Sequence, residues 1–252
     1  MNTLTIFSPR TGSTILNELL SFQYKNLDLD EFVSGALRKG TLHEYVRNIP
    51  QSVRDEIKQV LKTDASFSLS RRRVDYVLRL EHNWSAKCLV MKDVELTEYF
   101  IQNALKQNTK IFYTCRKDVK AQCWSMIMGR IRSKKIYNAK EKERLAYVST
   151  IKYPYPDIVP SAFDVNEAKE IANAIISAGI NVKSLYERFG GTLVVYEDTI
   201  QKQDFSSCSI TEETIGSYSK LKQRLEKPPT ILPEQYVTNW KEIDEMIETM
   251  VI

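Results

Sequence analysis

Four short apolar runs limit the folds open to this chain more than any other feature. They are Leu4-Thr5-Ile6-Phe7, Cys88-Leu89-Val90-Met91, Ile111-Phe112-Tyr113-Thr114 and Leu193-Val194-Val195-Tyr196. Each is too short for a buried helix and is rich in β-branched or aromatic residues, so each reads as a strand. Their nearly continuous apolarity suits strands covered on both faces, as in a parallel sheet. Helical patterns lie around them. Thr14 to Tyr24 carries Ile15, Leu16, Leu19 and Leu20 at helical spacing. Further helices are expected over Val53 to Leu61, Leu69 to Leu80 with a basic start at Arg71-Arg72-Arg73, and Lys120 to Ile131. Another runs over Asn166 to Phe189 with an interruption near Gly179, and Gly190-Gly191 ends it. A C-terminal helix from about Pro233 follows the Lys227-Pro228-Pro229 break, and the proline-rich stretch Tyr153 to Pro160 reads as a loop and candidate lid. Strands alternating with helices predict an α/β layered fold with right-handed crossovers. With no repeat or low-complexity linker, residues 1–252 are expected to form a single domain.

Composition narrows the function classes. Lys and Arg number 36 against 32 Asp and Glu, a net charge of +4. That suits an anionic small ligand and falls short of the basic excess of a nucleic-acid binder. No apolar run approaches the length of a membrane span, and the N-terminal segment lacks the cationic leader and apolar core of a secretory signal. A cytoplasmic protein is expected. Cys88, Cys115, Cys123 and Cys208 are scattered without a CxxC spacing and read as free thiols. His43 and His82 are the only histidines, so a histidine-rich metal site is excluded.

The most informative segment is Ile6-Phe7-Ser8-Pro9-Arg10-Thr11-Gly12-Ser13-Thr14-Ile15-Leu16. A strand ends, a tight turn follows, and an amphipathic helix starts. The first amides of that helix have no internal partners and, with the helix dipole, form an anion site. Gly12 permits close backbone approach. Thr11, Ser13 and Thr14 add hydroxyls, and Arg10 adds a forked cation suited to phosphate or sulfonate oxygens. This is not a Walker A loop, because the first glycine and the lysine of that motif are missing. A plain reading competes, in which Ser13 or Thr14 only caps the helix.

Downstream, Ile111-Phe112-Tyr113-Thr114-Cys115-Arg116-Lys117-Asp118 leads into Val119-Lys120-Ala121-Gln122-Cys123-Trp124-Ser125. A strand delivers Arg116, and a helix presents Ser125 nine residues later. Together they offer charge and a hydroxyl to a second anionic group. The plain readings are a surface ion pair for Arg116, with Asp118 or a neighbour, and a solvent-facing position for Ser125.

Pro9-Arg10-Thr11-Gly12-Ser13-Thr14 resembles the 5′-phosphosulfate loop of sulfotransferases that use 3′-phosphoadenosine 5′-phosphosulfate (PAPS). The Arg116 and Ser125 pair is similar to the pair that binds the 3′-phosphate in those enzymes, although its spacing is one longer than the commonest in the cytosolic members. The pattern Arg116, Asp118, Gln122, Ser125 resembles the soluble bacterial carbohydrate type, which includes trehalose 2-sulfotransferases. Leu193-Val194-Val195-Tyr196-Glu197-Asp198 resembles the late strand of many members, with Glu197 and Asp198 expected to organise the loops near the first anion site.

What the resemblance implies is a PAPS-dependent sulfotransferase on a three-layer P-loop-like α/β fold, with a central, mostly parallel sheet flanked by helices. It transfers a sulfuryl group to a hydroxyl of a carbohydrate or another small-molecule alcohol by in-line displacement and leaves 3′,5′-adenosine bisphosphate (PAP). No metal and no nucleic-acid partner are expected. Arg10, Thr11, Gly12, Ser13, Thr14, Arg116, Ser125 and Lys222 are the expected binding residues, with Arg10 also stabilising the transferred group. Glu31, ahead of Phe32, is the expected general base, with Asp28, Asp30, Asp93 and His43 behind it. Lys92 is a candidate second cation, Arg224 joins Lys222 in the late basic stretch, and His82 reads as a surface or structural residue. Trp84, Trp124 and Trp240 are candidates to stack on adenine. Two other classes remain open: a nucleotide kinase or NTPase with an atypical P-loop, and a non-catalytic nucleotide-binding module.

Overall fold

The computed structural model describes residues 1–30, 32–34, 50–64, 69–90, 93–138, 159–217 and 232–251. The strands are β1 (Thr3–Phe7), β2 (Leu27–Asp30), β3 (Trp84–Leu89), β4 (Lys110–Cys115) and β5 (Thr192–Val195). The α-helices are α1 (Ser13–Tyr24), α2 (Gln51–Thr63), α3 (Arg71–Leu78), α4 (Val94–Lys106), α5 (Val119–Asn138), α6 (Val165–Phe189), α7 (Glu212–Ser217) and α8 (Trp240–Val251). The five strands form one sheet in the order β2-β3-β1-β4-β5, and every pairing is parallel. Helices flank this sheet, giving the expected three-layer P-loop-like α/β fold.

Strand order follows from burial. β1 is buried at every residue and lies in the middle, between β3 and β4. Side chains alternate across the sheet. On one face Leu4, Ile6, Trp84, Ala86, Cys88, Ile111 and Tyr113 join a core with Phe100 and Ile101 of α4. The other face is more polar. Thr3 donates to the Ser85 hydroxyl at 2.7 Å, and Asn26 donates to the same oxygen at 2.9 Å. Asn17 of α1 donates to Asp28 of β2 at 2.8 Å. α1 packs against β1, β2 and β3.

Several sequence-based expectations need correction. Asp28 and Asp30, candidate bases behind Glu31, belong to β2, an edge strand whose register shifts between them. The second apolar run was placed too late: β3 ends at Leu89, and its apolar residues alternate with Ser85 and Lys87. α4 has no counterpart among the expected helices. α6 continues through Gly179 without interruption, since neighbouring helix formers outweigh one glycine. The C-terminal segment opens with a short 3₁₀ turn, Pro233–Gln235, and α8 begins only at Trp240. Of the candidate lid, residues 153–158 lie outside the described residues.

The chain forms two compact units. The first comprises Met1–Lys117 with Ala178–Leu221 and contains the sheet; the second comprises Asp118–Ser177 with Lys222–Ile252. The second unit has its own core, in which Trp124, Ile127, Ile171 and Ile175 meet Ile243 and Ile247. Trp124 donates its indole N–H to Asp244 at 2.9 Å, and Lys120 pairs with Asp244 at 2.7 Å.

Candidate functional site

Topology places the crevice. The chain leaves β1 toward β2 on one side of the sheet and leaves β4 toward β5 on the other. Between two strands whose exits diverge, an open parallel sheet leaves a cleft at the carboxyl ends, where ligands bind. The turn after β1 and the residues after β4 therefore flank that cleft.

The turn after β1 uses two left-handed residues, Arg10 at φ 62° and Gly12 at φ 74°. For Arg10 this conformation costs roughly 1–2 kcal/mol, a strain that the turn holds at the site. Gly12 is the residue that caps α1, and no side chain caps the helix. Ser13 and Thr14 thus stand inside the first helical turn, against the plain capping reading. Thr11 is fully buried; it donates its one proton to the Ser8 carbonyl at 2.8 Å and meets the Thr114 hydroxyl at 2.6 Å. Its hydroxyl ties the turn to β4 and is spent on the scaffold. Arg10 is exposed at the rim, whereas Ser13 is buried.

Beneath this turn lies a cation that sequence reasoning missed. Lys87 of β3 is 1% exposed, and its amino group donates to the Thr14 hydroxyl at 2.7 Å. A lysine inside a central strand is costly unless polar groups meet it, since burying one ion costs several kcal/mol. The signal was present: Trp84, Ala86 and Cys88 alternate with Ser85 and Lys87, the pattern of a strand with one polar face. Lys92, the candidate cation named from sequence, lies outside the described residues.

β4 ends in Cys115, and Arg116 follows. The Arg116 Nε donates to Glu197 at 3.2 Å, and the second Glu197 oxygen accepts the Lys117 N–H at 2.9 Å. The guanidinium carbon stands 4.6 Å from the centre of the Tyr196 ring. Carboxylate and ring hold the guanidinium from two sides, and the two Nη groups donate to no protein acceptor among the described residues. The side chain is 16% exposed, so this fork is only partly hydrated. The ion pair of the plain reading exists, with Glu197 as partner, and it orients the arginine.

Tyr196 links the two halves of the cleft. A Cβ at Gly12 would come within 3.0 Å of the Tyr196 ring and of Ile200. Tyr196 and Ile200 bound a single π-helical turn, Tyr196–Ile200, that leaves β5. One ring therefore abuts both the Gly12 turn and the Arg116 guanidinium. Asp198 of the same turn pairs with Lys117 at 2.6 Å and Lys202 at 3.1 Å, and these ammonium groups hold its carboxyl below the usual range. Glu197 and Asp198 thus brace Arg116 and Lys117 after β4, whereas the sequence-based expectation puts them near the first anion site. Burial, with Glu197 next in effect, pushes the Cys115 thiol up.

Other predicted residues divide cleanly. Glu31, His43, Lys222 and Arg224 lie outside the described residues. Ser125 is half-buried on α5 of the second unit. Trp84 is no adenine platform: it is fully buried and stacks on Phe100 at 5.9 Å in the core. Trp124 and Trp240 likewise belong to the core of the second unit. Asp93 caps α4 by accepting the Leu96 N–H at 3.2 Å, so it is no free base. His82 is exposed. Among the described residues, no cluster of His, Cys, Asp or Glu is arranged to hold a metal ion, and no helix is long and apolar enough to cross a membrane.

The cleft so defined lies at the carboxyl edge of a parallel sheet, with Arg10 and Lys87 on one flank and Arg116 on the other. No protein-family model matches the chain, and no curated protein is significantly similar to it.

Proposed function

We propose that this protein is a PAPS-dependent sulfotransferase that transfers a sulfuryl group to a hydroxyl of a carbohydrate or another small-molecule alcohol. One observation carries the reading. The Tyr196 ring abuts both the Gly12 turn and the Arg116 guanidinium, which supports reading these two segments, distant in sequence, as the two ends of one nucleotide site. A nucleotide with an anionic group at each end of its ribose calls for such a pair.

The residues fit such a donor. The amides at the start of α1, Arg10, the Thr14 hydroxyl and Lys87 would hold the 5′ end. The Nη fork of Arg116 would hold the 3′-phosphate. Bound there, the donor supplies a sulfuryl group whose bond to the 5′-phosphate breaks as the acceptor oxygen bonds to sulfur. Arg10 and the turn amides would neutralise charge that grows on the sulfuryl oxygens. Lys87, already fixed on Thr14, would do so on the phosphate side without reorganising. Glu31 is the residue expected to take the acceptor's proton.

The test is an incubation with radiolabelled PAPS over a panel of sugars and small alcohols. A labelled sulfate ester, lost in Glu31→Gln while PAP binding persists, is the expected result. Phosphate transfer from ATP with Mg²⁺ and none from PAPS would assign the cleft to a kinase. Binding of PAP without turnover on any acceptor would leave a non-catalytic binding module.

A further inference from the structure

A second cationic surface lies on the outer side of α3 and α4. Two adjoining grooves of about 500 and 440 Å³ share Arg71, Asp75 and Arg79. Arg72 borders one, and Lys106 the other. Four cations face one acid. α3 leads into β3 and α4 leads into β4, so Arg79 and Lys106 point the groove toward the amino edge of the sheet. The nucleotide cleft is at the opposite edge.

This surface differs from a solvated charge run in two ways. Its central arginine is fixed: the Arg71 guanidinium lies 3.5 Å from the centre of the Tyr99 ring, the Tyr99 hydroxyl donates to Asp75 at 2.7 Å, and Asp75 faces the Arg71 Nε at 3.6 Å. The single acid of the groove lining is thereby engaged by the Tyr99 hydroxyl and faces the Arg71 Nε. Arg72 and Arg79 make no side-chain ion pair or hydrogen bond among the described residues. Arg73, the third member of the basic run, turns inward instead, donating to the Asp64 carbonyl at 2.9 Å and the Phe32 carbonyl at 3.4 Å. It anchors the helix that presents the other two.

We infer that this groove binds an acidic polysaccharide through Arg71, Arg72, Arg79 and Lys106. Arg71 and Arg79 are eight residues apart, so their backbones are separated by about 12 Å along the helix. That spacing suits successive anionic groups along one chain, and each arginine fork grips a sulfate or carboxylate through two parallel bonds. Asn103 and Gln107 line the same groove, but their amide nitrogens already donate to the Tyr99 and Leu78 carbonyls, so recognition falls to the four cations. Single-stranded nucleic acid binds by stacking bases on open aromatic faces. Here Arg71 covers a face of Tyr99, which favours the saccharide. The inference does not depend on the donor reading.

The test is a calorimetric titration of the full chain, at fixed ionic strength, with heparin, polygalacturonate and single-stranded DNA. The variants are Arg79→Gln, Arg71→Lys and Arg72→Gln/Arg79→Gln. Because Arg72 and Arg79 are exposed and support no other residue, the double variant should keep the wild-type melting temperature. Expected is binding of heparin or polygalacturonate that weakens at least tenfold in the double variant and severalfold in Arg71→Lys, which keeps the charge but loses the fork. A Lys169→Gln/Lys183→Gln control, with the same charge change on α6, should stay within twofold. No binding of either polysaccharide, equal loss in the control, or tighter binding of the DNA would overturn the assignment.

Discussion

Arg116 and Lys87 are cations that the fold holds in place by different means. Arg116 is held by Glu197 and by the Tyr196 ring, so under the proposed reading its Nη edge would need no ordering to meet a phosphate. Lys87 is buried in a strand with its amino group on Thr14, where the protein bears the cost of an ion that a bound anion would offset. Lys87→Met tests this directly. Methionine matches the lysine stem in volume, gives up the hydrogen bond to Thr14 and removes the cost of a buried ammonium. The melting temperature should therefore hold or rise, while PAP affinity falls at least tenfold; a large loss of stability would make Lys87 a structural residue. Gly12 answers to geometry instead. Its φ of 74° and the 3.0 Å approach of Tyr196 and Ile200 leave no room for a Cβ. Gly12→Ala should cost about 2 kcal/mol in denaturant unfolding and push the Tyr196 turn away from the cleft.

At the scale of elements, the turn after β5 fastens the cleft through both of its acids. Asp198 titrates below its ordinary value of 3.8 because Lys117 and Lys202 face it, and Lys117 titrates above 10.5 because Asp198 faces it. The depressed carboxyl adds stability above pH 3.8 that disappears as pH falls through its lower folded value. The raised ammonium adds stability below pH 10.5 that disappears as pH rises through its higher folded value. Asp198→Asn should therefore lower the melting temperature slightly at neutral pH and leave it unchanged in strong acid. High salt should also shrink the difference, since both groups are exposed. Element placement was largely readable: β1, β4, β5 and α1 fall where their apolar runs predict, within a residue or two. Misplaced elements share a physical cause. In β3 the alternation of Trp84, Ala86 and Cys88 with Ser85 and Lys87 hides a strand from a search for continuous apolarity. In β2 the alternation of Leu27 and Leu29 with two aspartates hides a strand in the same way, and Asn17 of α1 donates to Asp28.

For the whole molecule, the strand order decides where function can lie. Sequence alone placed Arg10 and Arg116 after two strands. It did not show that those strands are neighbours, a property of long-range pairing that no local pattern encodes. Likewise the partnership of Arg116 with Glu197 spans 81 residues and could not be read locally. Adjacency of β1 and β4, with exits on opposite sides, turns two separate motifs into flanks of one cleft. The most direct test is a calorimetric titration with PAP, and with adenosine 5′-monophosphate, in the presence of EDTA. The account predicts micromolar binding of PAP without a metal, at least tenfold weaker binding of the monophosphate, and loss of that preference in Arg116→Ala. Equal affinity for both nucleotides in the wild-type protein, or binding of PAP that ignores Arg116, would contradict it.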